Sequence, residues 1–211
     1  MSLIDLFFYS FALFVLFITP GPVWLALIAR VLSYGWAGAL PLALAVAFGD
    51  VVWAVLAILS VASISQSVPM ITTLLTFVAA GFFIYLGARL WVKPPLIEDV
   101  AAAQSKKNQK PGRSLFMEGF TIGLLVIFSN PKAILFYIGI MPGFFDLSRL
   151  TPFDILLICT ASALVPFLGN MMLTALVIPA RNLMQSPTAQ KKLNQTSAVM
   201  MFGVAGLILL V

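Results

Sequence analysis

Six long stretches of this chain, at about residues 3–28, 38–62, 69–92, 115–141, 151–178 and 195–211, carry almost no charge. A helix needs about 20 apolar residues to cross the roughly 30 Å hydrocarbon layer of a bilayer. The first five stretches exceed that length and the sixth stands at its short end. Membrane strands would be about 10 residues long and alternate in polarity, and nothing in the chain alternates that way. The pattern predicts an all-α membrane protein with six transmembrane helices. Composition agrees: 62% of the 211 residues are hydrophobic and 9% charged, against about 45–50% and 25% in soluble domains. A water-soluble globule of this size could not hide so much apolar surface.

The first stretch is expected to stay in the mature protein, because Met1-Ser2-Leu3-Ile4-Asp5 lacks the basic start of a secretory signal. Basic residues then set the orientation, since short loops rich in Lys and Arg stay cytoplasmic. With six spans, the loops after spans one, three and five and their flanks share a side. They carry Arg30, Arg89, Lys93, Lys106, Lys107, Lys110, Arg113, Arg181, Lys191 and Lys192, and the opposite side holds only Arg149. Both termini are therefore expected outside the cytoplasm. The net charge of +5 reads as a topology signal and not as a nucleic-acid footprint.

The polar stretch 93–114, with Pro94, Pro95 and Lys106-Lys107-Asn108-Gln109-Lys110, reads as a cytoplasmic linker. It divides the chain into a first three-helix repeat, 1–92, and a second, 115–211. Three spans is an odd number, so the halves enter the membrane from opposite sides. Laying residues 6–25 on 117–136 matches Leu13 to Leu124, Val15 to Val126, Phe17 to Phe128 and Pro20 to Pro131. Phe48-Gly49-Asp50 in span two has a loose echo in Phe167-Leu168-Gly169-Asn170 of span five. A helix broken by proline occurs at the corresponding place in each half, which is the sequence pointer to a transporter site.

The two breaks are Thr19-Pro20-Gly21-Pro22 and Ser129-Asn130-Pro131-Lys132. Proline removes a backbone donor and clashes with the preceding turn, and it pushes the residue before it out of the helical region. Within a membrane such a break must be buried in protein or face a wet cavity. Each restarted half-helix offers free N–H groups and a positive dipole end, which suit a carboxylate. Thr19, Pro20, Gly21, Pro22, Asn130, Pro131, Lys132 and Asn170 are accordingly the candidate substrate-binding residues. A plain proline kink is the competing account of either break alone.

Ionisable groups within spans are scarce because they cost roughly 2.5–3.5 kcal/mol at mid-helix. Asp50, in the middle of span two, is the candidate proton-coupling residue, since a carboxyl group there can load and release a proton. Lys132 could meet a substrate carboxylate, or Asp50 and Lys132 could neutralise each other as a structural ion pair. Gly38, Gly49, Gly81, Gly87, Gly203 and Gly206 and the run Ala43-x-Ala45-x-Ala47 are expected to let helices approach closely. Trp53, Trp91, Phe82 and Phe83 read as lipid or core contacts. There is no His and a single Cys, Cys159, which excludes Cys/His zinc sites and Ser-His-Asp triads. The Met residues show no ligand spacing, and no phosphate-binding loop occurs, so neither a metal nor a cofactor is expected.

The motifs at these positions resemble the LysE/RhtB family of lysine and homoserine/threonine exporters. They are Pro20-Gly21-Pro22, Gly35 and Gly38, Gly49-Asp50, Gly81-x-x-x-Tyr85-Leu86-x-Gly87-x-x-x-Trp91, and Asn130-Pro131-Lys132-Ala133 followed by Phe136 and Pro142. Their order and placement on apolar spans run over essentially the whole chain. The resemblance implies a small exporter of amino acids or close derivatives in the bacterial inner membrane, driven by the proton gradient or by exchange. Asp50 and the two proline motifs would then shape the path. One clear mid-membrane acid among bulky apolar residues leans toward a neutral amino acid over a dibasic one.

The expected partners are an amino-acid substrate, membrane lipid and protons, with no nucleic acid; the sequence leaves a homo-oligomer open. Two other readings stand beside export of amino acids. An inorganic-ion or metal exporter of related architecture would want more carboxylate, Met or Cys ligands inside the membrane. A lipid-modifying enzyme would want a base with an electrophile or metal at the interface, and no such cluster is visible, so the chain is not read as an enzyme.

Overall fold

A computed structural model describes residues 1–19, 21–64, 77–78, 80–81, 84–85, 87–89, 91–92, 114–180 and 186–210. The expected linker 93–113, most of span three, Pro20 and Arg181 lie outside the described residues. Among those described, helices account for every regular element: α1 (Leu3–Ile18), α2 (Pro22–Ile64), α3 (Leu115–Phe128), α4 (Pro131–Leu135), α5 (Pro152–Val177) and α6 (Pro187–Leu210). A π-helical turn, Phe136–Ile140, and a 3₁₀ turn, Met141–Gly143, continue α4.

Local chemistry sets the helix starts. Ser2 accepts from the Asp5 backbone N–H while Asp5 accepts from that of Ser2, and Thr151 and Asp154 do the same at the head of α5. These reciprocal boxes satisfy donors that a helix start leaves open. Ser114 caps α3, and Asn130 caps α4, where Pro131 takes the first helical position.

The element α2 is two helical arms joined at Gly35, whose φ of 58° and ψ of −141° lie outside the helical region. Residues eight apart in a straight helix are separated by about 12 Å along its axis. A Cβ placed on Gly38 would instead stand 2.8 Å from the Arg30 carbonyl oxygen. The arms double back on each other, so the expected boundary between spans one and two falls at this glycine. By length and apolarity, the described residues contain two helices able to cross a membrane, or three if α3 and the segment from Pro131 to Gly143, bent by 50° at their break, form one span.

Side chains are arranged inside out relative to a soluble protein. Ala43, Ala45 and Ala47 are buried, while Leu40, Leu44 and Phe48 on the same arm are exposed. Phe7, Phe8, Phe11, Leu156, Leu164 and Leu168 also face outward, giving the apolar exterior that lipid requires. Small residues let the second arm of α2 lie close against α3, as the alanine run predicts. A Cβ on Gly123 would stand 2.6 Å from that of Ala45 and 2.7 Å from the Leu42 carbonyl oxygen. Both obstacles are fixed to backbone. Gly123→Ala is therefore expected to lose about 1–3 kcal/mol, read as a lower midpoint of thermal unfolding in detergent. Gly203→Ala, with nothing within 4 Å of the new methyl, should be unaffected or slightly more stable.

Several sequence expectations change. Gly38, Gly49 and Gly87 sit at close approaches as anticipated, but Gly81, Gly203 and Gly206 have open space around them, and Gly119, Gly123 and Gly169 make close approaches that were not anticipated. The last helix starts at Pro187, eight residues before the apolar run at 195, because Lys191 and Lys192 are exposed on its surface and need not end it. Arg30, assigned to a loop flank, is buried inside α2 and pairs with Glu118 of α3 at 2.7 Å.

Candidate functional site

The buried apolar residues form two clusters. The first gathers Tyr9, Leu13, Leu16, Phe136, Tyr137, Met141, Phe145 and Ile158. The second gathers Phe17, Leu27, Leu42, Val46, Ile122, Ile127 and Leu173. Between them lies a cavity of about 40 Å³, room for a few waters. Its polar lining is Gly21, Asp50, Asn130, Lys132 and Asn170, set among Leu13, Phe17, Trp24, Val46, Ile127 and Pro166. Five of the nine predicted site residues thus meet around one space, although they come from four separate parts of the chain.

The break after α1 explains why. A helix end leaves its last carbonyls without intrahelical partners. Thr19 bends into extended backbone (φ −69°, ψ 107°) and satisfies Val15 through both its N–H and its hydroxyl. The Trp24 indole donates back to the Phe17 carbonyl at 2.8 Å. The Leu16 and Thr19 carbonyls both accept from the Lys132 ammonium. A cation from the second break therefore closes the negative end of the first, where the helix dipole favours it. The second break repeats part of this device, with Trp53 donating to the Ile127 carbonyl at 3.4 Å.

Lys132 is thus a partner of backbone, and no ion pair joins it to Asp50 among the described contacts within 4 Å. Asp50 is 5% exposed and lines the cavity. Asn170 is completely buried with neither its amide nitrogen nor its oxygen hydrogen-bonded. Buried polar groups are normally paired, so an unpaired carboxamide on a cavity wall marks a place for a polar guest.

The remaining predicted residues stand nearby in other capacities. Thr19 is buried and contributes its carbonyl. Pro22 is exposed at the start of α2, and Pro131 is half-buried at the start of α4; neither lines the cavity. Pro20 lies outside the described residues. Sequence reasoning missed Trp24, whose indole is the donor that α1 needs; its position four residues after Pro20 was the available signal. Trp53, read as a lipid or core contact, packs between the two cores.

A polar cavity where two helices break, beneath an apolar exterior, is the arrangement that transporter sites take. Comparison with known proteins agrees. The chain matches the family model "LysE type translocator" over residues 14–211, and it belongs to that family. It is 24% identical over 187 residues to the uncharacterized membrane protein YrhP of Bacillus subtilis, covering 88% of this chain and 89% of that one. It is 34% identical over 146 residues to an uncharacterized membrane protein of Pseudomonas aeruginosa, covering 66% and 64%. It is also 26% identical over 141 residues to a leucine efflux protein of Klebsiella pneumoniae, covering 67% of this chain and 63% of that relative. No solved structure matches.

Proposed function

We propose that this protein exports a neutral amino acid or a close derivative from the bacterial cytoplasm, in exchange for protons, by alternating access. In this reading the chain forms six spans as two inverted three-helix repeats joined by the linker 93–114, in the inner membrane with both termini outside. The observation that carries it is the convergence of Gly21, Asp50, Asn130, Lys132 and Asn170 on one cavity between two broken helices. Half-helix starts and Asn170 suit the carboxylate of a zwitterion, and the Asp50 carboxyl suits either its ammonium or a proton. The cavity's apolar walls suit an aliphatic side chain better than a second charge. Leucine efflux proteins among the relatives support the same substrate class.

The cavity leaves about 40 Å³ for water, so loading an amino acid requires the side chains around it to part. In proteoliposomes, Asp50→Asn is expected to abolish uptake driven by a pH gradient while the protein still inserts. Counterflow across a panel of labelled amino acids identifies the substrate. Proton-driven transport at the wild-type rate by Asp50→Asn would remove Asp50 from the mechanism.

A further inference from the structure

Beside Asp50, away from the substrate pocket, stands a group of buried hydroxyls that neither packing nor capping explains. Tyr9 and Tyr137 are completely buried, as is Ser162. The Tyr9 and Ser162 hydroxyls are hydrogen-bonded at 2.6 Å, and Ser162 donates to the Ile158 carbonyl at 2.8 Å. With that donor spent, the shared hydrogen between the two side chains comes from Tyr9. The Tyr137 hydroxyl stands close to both Asp50 and Ser162 yet has no hydrogen-bond partner of good geometry. Leaving a buried hydroxyl unmade costs about 1–3 kcal/mol, whereas phenylalanine of the same shape would cost nothing there.

We infer that Tyr137, with Tyr9 and Ser162, is the route by which a proton reaches Asp50. The inference rests on Asp50 being the proton carrier. Each hydroxyl passes on one proton and takes up another: hydronium at the mouth protonates the Tyr9–Ser162 pair, that pair protonates the Tyr137 oxygen, and Tyr137 releases its own hydrogen to the Asp50 carboxylate. One proton moves inward and every hydroxyl is restored.

The direction follows from the helices. Tyr9 is one turn, about 6 Å, from the cavity residue Leu13 toward the start of α1, and Ser162 lies on the N-terminal side of Asn170 in α5. The starts of those two helices share an end of the bundle, where the Met1 amino group stands 3.7 Å from the Asp154 carboxylate. In the proposed topology that end is outside, the side from which protons run down their gradient. Phe144 and Phe145 pack edge-on against the Tyr9 ring, with centroids 6.0 and 5.1 Å away, and close the route to water in this conformation. Opening of that aromatic plug admits the proton. Among the described residues, the titratable groups facing Asp50 and the relay are Lys132 from α4, Tyr137 from the π turn, Tyr9 from α1 and, beside Tyr9, Cys159 from α5.

The test compares Tyr137→Phe, Ser162→Ala and Asp50→Asn in proteoliposomes, measuring both counterflow without a pH gradient and accumulation driven by one. Tyr137→Phe is expected to keep wild-type thermal stability or gain some, and to keep counterflow within about twofold, while pH-driven accumulation falls by at least about tenfold. Ser162→Ala should shift the same ratio in the same direction, and carries the test if Tyr137→Phe fails to fold. Wild-type pH-driven accumulation by folded Tyr137→Phe, with Asp50→Asn inactive, overturns the relay alone. Wild-type pH-driven accumulation by Asp50→Asn overturns the carrier assignment and the relay with it.

Discussion

Glu118→Ala is expected to destabilise the protein by about 1–3 kcal/mol, because it leaves the buried Arg30 guanidinium without the acceptor of a half-buried carboxylate. Arg30 has a side chain only 3% exposed, and it donates to Glu118 at 2.7 Å and to the Leu115 carbonyl at 3.2 Å. Its guanidinium also lies 4.5 Å from the centre of the Tyr34 ring. Without Glu118 the positive charge keeps one carbonyl and one aromatic face, in surroundings too apolar to solvate it. The effect should be largely relieved in the double variant Arg30→Met, Glu118→Leu, because a well-packed apolar pair often replaces a buried ionic one without loss. Thermal unfolding in one detergent of Glu118→Ala and of the parent, Arg30→Met, Glu118→Leu and the double variant, the last four treated as a double-mutant cycle, gives the answer. A Glu118→Ala protein as stable as the parent would mean that Arg30 reaches water. The pair joins α2 to α3, so its loss should loosen the packing between the two halves before any helix melts.

Lys132→Met should lower stability by roughly 2–4 kcal/mol, since each abandoned carbonyl costs about 1–3 kcal/mol and part of that is returned by no longer burying an ammonium. The Leu16 and Thr19 carbonyls would lose their donor at the end of α1, and the segment leading to Gly21 would lose its anchor. Lys132→Arg is not expected to restore it: a planar fork is a poor substitute for a compact ammonium directed at two converging carbonyls. The measurement is again thermal unfolding, alongside protease cleavage near the break. A Lys132→Met protein that unfolds like the parent and resists cleavage would show that water or Trp24 suffices to cap α1.

Proline and charge made much of this legible in the sequence. Pro131 lacks an N–H, so a break there follows from covalent structure, and the 50° bend is its result. Asp50 and Lys132 stood out because buried charge is scarce, and both line the cavity. What stayed hidden depends on who the neighbours are. Sequence could say that Lys132 needed a partner, but a four-carbon stem reaches many, and it chose backbone over Asp50. Arg30 stands near the end of an apolar run, where an exposed and a paired arginine look alike. Gly35 lies in the expected gap between the first two apolar stretches, but which residue of that gap turns the chain depends on its backbone angles. Tyr9, Tyr137 and Ser162 read as ordinary core positions until the fold sets their hydroxyls beside Asp50.

The segment after Asn130 changes its winding from α to π to 3₁₀ between Pro131 and Gly143. A π turn accommodates one surplus residue, and in an α-helix each residue is worth about 100° of rotation. The five residues Phe136–Ile140 therefore store a fraction of a revolution, wound into the core where Tyr137 is buried. Handing that surplus residue to the adjoining turn would swivel the phenol about the helix axis, as a screw advances, without unthreading the rest of the bundle.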